Sequence, residues 1–320
     1  MRLKKPAHAA VFGAGSTLAL QIALLLILLL AACQPATATP AAIPIPSPTP
    51  TYTSANCPTG DHTQELMSGG QIREYQLHIP ASYQPENPVA LVLAFHGAGS
   101  SSWEFESYSG FSRVADHAGF IVVYPQALGG HPTWNTTSEP DNPDIQFVRD
   151  LLEDLESRCN IDRTRIYASG HSNGGGMANR LACDLSDHVA AISSVSGAYQ
   201  GSQECSPARP VAVLGVHGTD DLIIPYNSFQ DMREPPAAYY VIGVPIPQWA
   251  SSWATRNGCD KEPSSIDQSD QVTQDKWSNC RAGADVVLYT VHGGGHGWTD
   301  AFDAAQVIWD FFAEHALSDT

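Results

Sequence analysis

The chain has 320 residues, of which 43% are hydrophobic, and its 33 acidic against 16 basic residues give a formal net charge of −17. An acidic surface repels phosphate backbones, so this charge argues against nucleic-acid binding. The length suits an N-terminal leader followed by one large α/β domain, with no internal repeat and no zinc-type cysteine spacing.

The first 32 residues have the features of an export signal. Arg2, Lys4 and Lys5 precede an uncharged stretch at 9–32, and the next residue is Cys33. Leu-Ala-Ala-Cys at the end of this stretch resembles the lipobox of bacterial lipoproteins, which predicts removal of 1–32 and acylation of Cys33. An uncleaved anchor is the alternative, because 24 uncharged residues are enough to span a bilayer. Either way we expect the chain to lie outside the cytoplasm, at the cell surface, and to meet the membrane only through its N-terminus.

Residues 33–56 predict a tether. Its last 23 residues include six prolines and no charged side chain. Such a segment cannot bury a core and favours an extended chain. The catalytic domain is therefore predicted to occupy 57–320.

The six cysteines after Cys33 predict three disulfides in an exported protein, although six cysteines allow 15 pairings. Cys259 and Cys280 flank a polar stretch of 20 residues that predicts a loop, so we pair them. We also pair Cys183 with Cys205, because both lie just beyond consecutive elements. This leaves Cys57–Cys159 as the third pair.

Short apolar runs alternate with helical patterns from residue 89 onward. The runs suit buried parallel strands, and the clearest helix begins at an Asn142-Pro143 cap. This order predicts a doubly wound, mostly parallel sheet with helices on both faces and function at the carboxyl ends of the strands. The runs are 89–95, 119–124, 166–168, 189–192, 211–216 and 286–291.

A G-x-S-x-G pattern at 170–174 lies between a strand-like run and a helix-like run. In that setting the serine occupies a strained turn that only small neighbours allow, and its hydroxyl faces the N-terminus of the helix. The pattern predicts Ser172 as a nucleophile, with Gly170 and Gly174 as the small neighbours. The N–H of Asn173 would stabilise an oxyanion.

Three loops after predicted strands carry the other residues that acyl transfer needs. The glycine-rich turn at 96–99 predicts Ala98 N–H as the second oxyanion donor, unless it is an ordinary turn. The run 217–221 offers two candidates for the triad carboxylate, Asp220 and Asp221, and the residues alone do not decide between them. His217 in the same run is expected to be structural.

The third loop, 292–298, provides the general base. His296 lies in a glycine-rich segment that can approach the nucleophile, and the order serine, aspartate, histidine is the α/β-hydrolase order. A metal site using His292 and His296 is disfavoured because the loop has no carboxylate. Three tryptophans in or beside these loops are candidates for lining the substrate pocket or for packing: Trp103, Trp134 and Trp298.

With these loops in place, the sequence resembles the group of α/β-hydrolases that contains extracellular polyhydroxybutyrate depolymerases and feruloyl esterases. The resemblance covers nearly all of 70–316 and rests on five segments. It implies the α/β-hydrolase fold, Asp221 as the acid, His296 as the base and a Cys259–Cys280 bridge. The segments are 119–126, 147–149 leading to 161–167, 169–177, 217–221 through 226, and 294–298.

These observations together predict an exported serine carboxylesterase that works through an acyl-enzyme and needs no metal or cofactor. Polyhydroxybutyrate-type esters are the first expectation for its substrate. Polyester depolymerases usually carry a further substrate-binding domain, which we do not find here, so feruloyl or acetylxylan esters are the alternative. A serine peptidase and a non-catalytic binding lipoprotein are the competing classes, and the sequence predicts no oligomeric state.

Overall fold

The sheet at the centre of the domain has ten strands in the order β1-β2-β4-β3-β5-β6-β7-β10-β9-β8. The computed structural model describes residues 52–53, 56–197, 199, 204–227 and 244–317, all within one compact unit, Pro50–Thr320. The expected leader, Cys33 and nearly all of the expected tether lie outside the described residues. Within the described residues, no helix has the length and apolar character needed to cross a membrane.

The elements alternate between strand and helix through most of the chain. The strands are β1 Gly60–Ser68, β2 Gln71–Ile79, β3 Val89–Phe95, β4 Ile121–Pro125, β5 Ile161–His171, β6 Ala191–Val195, β7 Ala212–Gly218, β8 Ser264–Ser269, β9 Val272–Trp277 and β10 Val286–Val291. The helices are α1 Ser102–Ser109, α2 Phe111–Ala118, α3 Pro143–Arg158, α4 Asn173–Asp184, α5 Ile246–Asn257 and α6 Ala304–Ala313.

Six neighbouring strands, β4, β3, β5, β6, β7 and β10, pair in parallel. An antiparallel hairpin flanks this core at each edge, β1–β2 beside β4 and β8–β9 beside β10. The mostly parallel α/β architecture predicted from the sequence is thereby confirmed. Its carboxyl edge brings together the loops after β3, β5, β7 and β10, as expected for parallel strands.

Both faces of the sheet are buried because each parallel strand alternates its side chains between two apolar layers. In β3, Leu91, Leu93 and Phe95 join the layer that contains α3, α4 and α5. The intervening Val92 and Ala94 join the layer that contains α1, α2 and α6. This two-sided burial explains why the strands appear in the sequence as continuous apolar runs.

The helix predicted after Asn142 begins where expected. The Asn142 side chain accepts hydrogen bonds from the N–H groups of Asp144 and Ile145, and Pro143 occupies the first turn, where its missing N–H costs nothing. Arg73 of β2 reaches this helix start and pairs with Asp144 at 2.8 Å, with both side chains buried.

The three disulfides join Cys57–Cys159, Cys183–Cys205 and Cys259–Cys280, as predicted. The prediction of a loop between Cys259 and Cys280 was wrong, because this segment forms the β8–β9 hairpin. Every residue of β8 is exposed, so the strand has no apolar run. Its polar composition, which resembles that of a loop, follows from its place at the edge of the sheet.

Candidate active site

The turn from β5 into α4 holds Ser172 in a strained conformation. Its φ of 55° and ψ of −118° lie where residues other than glycine are rare. A Cβ at Gly170 would lie 2.2 Å from the Gly174 carbonyl oxygen, and one at Gly174 would lie 2.1 Å from that of Phe95. Both positions therefore require glycine, which is the steric reason for the spacing of the pattern.

The loop after β10 brings His296 onto this serine. Its Nε2 is 2.9 Å from Ser172 Oγ, and its Nδ1 is 2.7 Å from Asp221 Oδ2. Because a carboxylate only accepts, Nδ1 carries the proton and the Nε2 lone pair of the neutral ring faces the serine hydroxyl. The structure therefore joins the three residues predicted from distant parts of the sequence into one hydrogen-bonded chain.

The carboxylate in this chain is buried and fully hydrogen-bonded. Asp221 Oδ1 accepts the N–H groups of Ile223 and Ile224, each at 2.8 Å. Burial alone would raise the pKa of Asp221, but hydrogen bonds from His217 and His296, together with the charge of His296, lower it well below its usual range. Asp221 is thus ionised at neutral pH.

The neighbouring Asp220 has a different environment. It is exposed, and its carboxylate accepts only the Thr219 hydroxyl at 3.1 Å among the described residues. Its backbone N–H donates to the Gly294 carbonyl at 2.9 Å. Of the two aspartates that the residues alone left open, the structure brings Asp221 and not Asp220 to the histidine.

The acid loop and the histidine loop support each other directly. Besides the Asp220–Gly294 bond, the Gly293 N–H donates to Thr219 Oγ1 at 2.8 Å. On the other side, Ser196 Oγ donates to the Gly297 carbonyl at 3.2 Å. Ser196 follows β6 and has a φ of 49°, so its backbone is also strained. No motif in the sequence indicates this residue. These contacts limit the freedom of a loop rich in glycine.

The two predicted oxyanion donors are the N–H groups of Asn173 and Ala98. Asn173 begins α4, so its N–H belongs to the first turn of a helix and has no intrahelical acceptor. Ala98 follows Gly97, and a Cβ at Gly97 would lie 3.5 Å from Ser172 Cβ. Among the hydrogen bonds of the described residues, neither N–H has an acceptor. Their role as oxyanion donors stays a prediction.

The three candidate tryptophans lie in different environments. Trp134 is buried: its Nε1 donates to the His96 carbonyl at 3.0 Å, and its backbone N–H donates to Asn173 Oδ1 at 2.7 Å. It is a packing residue that fixes the Asn173 side chain, with almost no surface left for substrate. Trp298 is half-buried, and Trp103 is 62% exposed.

His171, which the sequence analysis did not single out, lies beside the reacting groups. Its ring centroid is 5.3 Å from that of His296, and its Nδ1 is 3.4 Å from the Tyr108 hydroxyl. Burial, and then the nearby His296, lower the pKa of His171 to about 4. The ring therefore stays neutral at pH 7 and does not repel a histidine that acquires a proton.

A cavity of about 360 Å³ adjoins the histidine loop. Its lining does not include Ser172, so it adjoins the serine–histidine pair without enclosing it. The side chains that line it include Ser196, His217, His296, Trp298, Thr299 and Asp300.

The proposed alternative of a metal on His292 and His296 finds no support in the geometry. His292 is exposed and pairs with Thr273 Oγ1 at 2.8 Å, while both ring nitrogens of His296 are engaged. Within the described part of the chain, one group could offer three ligand atoms to a metal, Asp61, His78 and Glu106. It lies on β1, β2 and α1, outside the serine–histidine pair.

Comparison with known proteins identifies the relatives of the chain, although no protein-family model matches it. It is 30% identical over 259 residues to feruloyl esterase B of Piromyces equi, covering 77% of this chain and 46% of that protein. It is 32% identical over 267 residues to NocK of Nocardia uniformis subsp. tsuyamanensis, named as a presumed esterase, covering 75% of this chain and 76% of that protein. The chain thus spans about half the length of the first relative.

Solved structures share the fold. An acetyl xylan esterase from Aspergillus awamori superposes with a TM-score of 0.59 at 14% identity, covering 79% of this chain and 99% of that one. A ferulic acid esterase gives a TM-score of 0.52 at 17% identity, covering 79% and 98%.

The fold and these relatives define the class of the protein as a carboxylic ester hydrolase with the α/β-hydrolase fold. Within that class, the chain belongs to the feruloyl esterase-like family. The expectation of an enzyme is therefore confirmed.

Proposed function

We propose that the chain is an exported serine esterase that removes feruloyl or acetyl groups from plant cell-wall polysaccharide. The observation that carries the catalytic part is the chain of contacts from Ser172 Oγ through His296 to Asp221, at 2.9 and 2.7 Å. Such a chain activates a hydroxyl for attack on an ester carbonyl.

In the proposed reaction, His296 Nε2 takes the Ser172 proton as Oγ attacks the ester carbonyl. The N–H groups of Ala98 and Asn173 stabilise the oxyanion, and His296 returns the proton to the departing alcohol. A water molecule, deprotonated by the same histidine, then hydrolyses the acyl-enzyme. Asp221 remains ionised throughout and holds the Nδ1–H tautomer of the histidine.

The choice of substrate rests on the relatives and on the surface near the serine. Relatives are named feruloyl esterases and, in one case, a bifunctional acetylxylan esterase/xylanase. This favours cell-wall esters over polyhydroxybutyrate, which was the first expectation from the sequence. On α1, Tyr108 is partly exposed and contacts His171 next to the serine. An exposed aromatic ring at this place suits an aryl acyl group.

A substrate panel with a matched serine control tests this function. Methyl ferulate, acetylated xylan and a hydroxybutyrate trimer are compared for the native enzyme, Ser172→Ala and Ser107→Ala, the last being an exposed serine of α1. We expect turnover of ferulate or acetyl esters, a loss of on the order of 10⁴-fold or more in Ser172→Ala, and native rates in Ser107→Ala. Turnover of the hydroxybutyrate trimer alone would contradict the proposed cell-wall substrate. Surviving turnover in Ser172→Ala would contradict the assignment of Ser172 as the nucleophile.

The export of the protein is supported by its three disulfides, which persist in oxidising compartments. We propose further that acylation of Cys33 tethers the protein to a membrane. Cys33→Ala should then move the esterase from the membrane fraction to the soluble fraction. An unchanged membrane fraction would favour the uncleaved anchor.

A further inference from the structure

A second histidine contacts the acid of the site. His217, at the carboxyl end of β7, is 1% exposed. Its Nε2 lies 2.8 Å from the Ile224 carbonyl oxygen and 3.1 Å from Asp221 Oδ2. The edge of its ring packs against Tyr226, with the ring centroids 6.1 Å apart. From the sequence, this histidine is expected to be structural.

The contact with Ile224 fixes which nitrogen of His217 carries the proton in the neutral ring. A carbonyl oxygen only accepts, so Nε2 bears the hydrogen and donates it to Ile224, while Asp221 Oδ2 lies 3.1 Å from the same nitrogen. The other nitrogen, Nδ1, is buried and has no hydrogen-bond partner among the described residues. His217 therefore faces the carboxylate through its Nε2–H.

This donor completes the hydrogen bonding of Asp221. Two backbone N–H groups occupy Oδ1, and two histidines share Oδ2: His296 at 2.7 Å and His217 at 3.1 Å. Because both histidines draw on one oxygen, a donor on one side reduces the negative charge available to the other. The position and the charge of Oδ2 are thus set from the His217 side.

We propose that His217 is a positioning residue of the esterase: its Nε2–H holds Asp221 Oδ2 in line with His296 and limits how strongly that oxygen accepts from His296. The inference rests on the proposed function of Ser172, His296 and Asp221. Without the His217 donor, Oδ2 is a stronger acceptor for His296. The contact from Oδ2 to the protonated ring of His296 is then strengthened more than the contact to the neutral ring.

The charged and titratable groups that face His296 come from the end of β5, from β7 and the loop that follows it, and from the histidine loop itself. His171 at the end of β5 lies 5.3 Å away between ring centroids. Asp221 and His217 follow or end β7, and Asp300 lines the cavity next to the histidine. A substitution at His217 leaves the other groups in place, so a comparison of variants isolates its contribution.

Two variants of similar shape separate a donor from a space-filling residue. His217→Gln keeps an N–H near the position of Nε2, and His217→Met removes it. In His217→Met we expect the acid limb of the pH profile of kcat/KM for an ester to move up by about half a pH unit and the plateau to fall by about tenfold. His217→Gln should keep the native acid limb. Equal limbs in native enzyme and His217→Met would overturn the proposal.

A measurement on the native chain covers the case in which a variant does not fold. Nitrogen-15 NMR of histidine-labelled enzyme, with the His217 signals identified by their loss in His217→Gln or by their coupling to the ring protons, gives the tautomer directly. We expect a protonated Nε2 and an unprotonated Nδ1. A protonated Nδ1 would overturn the proposal. This readout is independent of turnover, so Ser172→Ala tests the proposed function separately.

Discussion

The sharpest test of the acid is to replace each of the two adjacent aspartates by asparagine. Asp221 accepts two backbone N–H groups on Oδ1 and two histidines on Oδ2. An asparagine oxygen can serve only one of these sides. If it stays with the backbone, its NH₂ group faces the Nδ1–H of His296, and two donors oppose each other.

The histidine relieves this clash by moving its proton to Nε2, which can then no longer accept the proton of Ser172. A wrong tautomer of this kind lowers kcat by on the order of 10⁴-fold in serine hydrolases. Asp220→Asn should stay within about twofold of the native rate, because Asp220 is exposed and contacts the histidine loop through its backbone.

The assay is p-nitrophenyl acetate hydrolysis at saturating substrate, with thermal unfolding of both variants to confirm that they fold. A larger loss in Asp220→Asn, or equal losses in the two variants, would refute the reasoning and move the acid to position 220.

Three further predictions concern stability. The pKa of His171 is lowered to about 4 in the folded protein, so the unfolded chain takes up this proton first as the pH falls. The contribution of His171 to stability is therefore complete above about pH 6.5 and is lost towards pH 4. In that window, His171→Asn should reduce the slope of the unfolding free energy against pH by up to about 1.4 kcal/mol per pH unit. Gly174→Ala should lower the melting temperature strongly, because its Cβ would lie 2.1 Å from a carbonyl oxygen, whereas Gly130→Ala, with open space around it, should not. Removing the Cys57–Cys159 bridge by a double serine substitution should cost about 2–5 kcal/mol in denaturant unfolding, since it closes a sequence separation of 102 residues. The first prediction would be contradicted by an unchanged dependence of the unfolding free energy on pH, and the second by equal melting temperatures of the two glycine variants. An unchanged denaturant midpoint without the disulfide would contradict the third.

The parallel strands could be predicted from the sequence because burial on both faces makes them continuous apolar runs. The apolar run at 89–95 coincides with β3, and that at 286–291 coincides with β10. The edge hairpins could not be predicted in this way. β8 is exposed along its whole length and has the composition of a loop, and its strand character comes from pairing with β9.

The same distinction applies to the site. Ser172 could be predicted because its turn carries a steric signature, two glycines that a close approach requires. His296 could be predicted from its glycine-rich loop and from the order serine, aspartate, histidine along the chain. Asp220 and Asp221 are equivalent as residues, and only folding buries one and exposes the other. His217 and Ser196 act through contacts that arise when β6, β7 and the histidine loop come together, so no local pattern indicates them.

The central claim is that Ser172 forms the acyl-enzyme. The most direct measurement is mass spectrometry of the protein quenched during turnover of a slowly hydrolysed ester, followed by mapping of the modified peptide. We expect one acyl group, located on Ser172, and none in Ser172→Ala. An acyl group on another side chain, or ester turnover without any modification of Ser172, would contradict it.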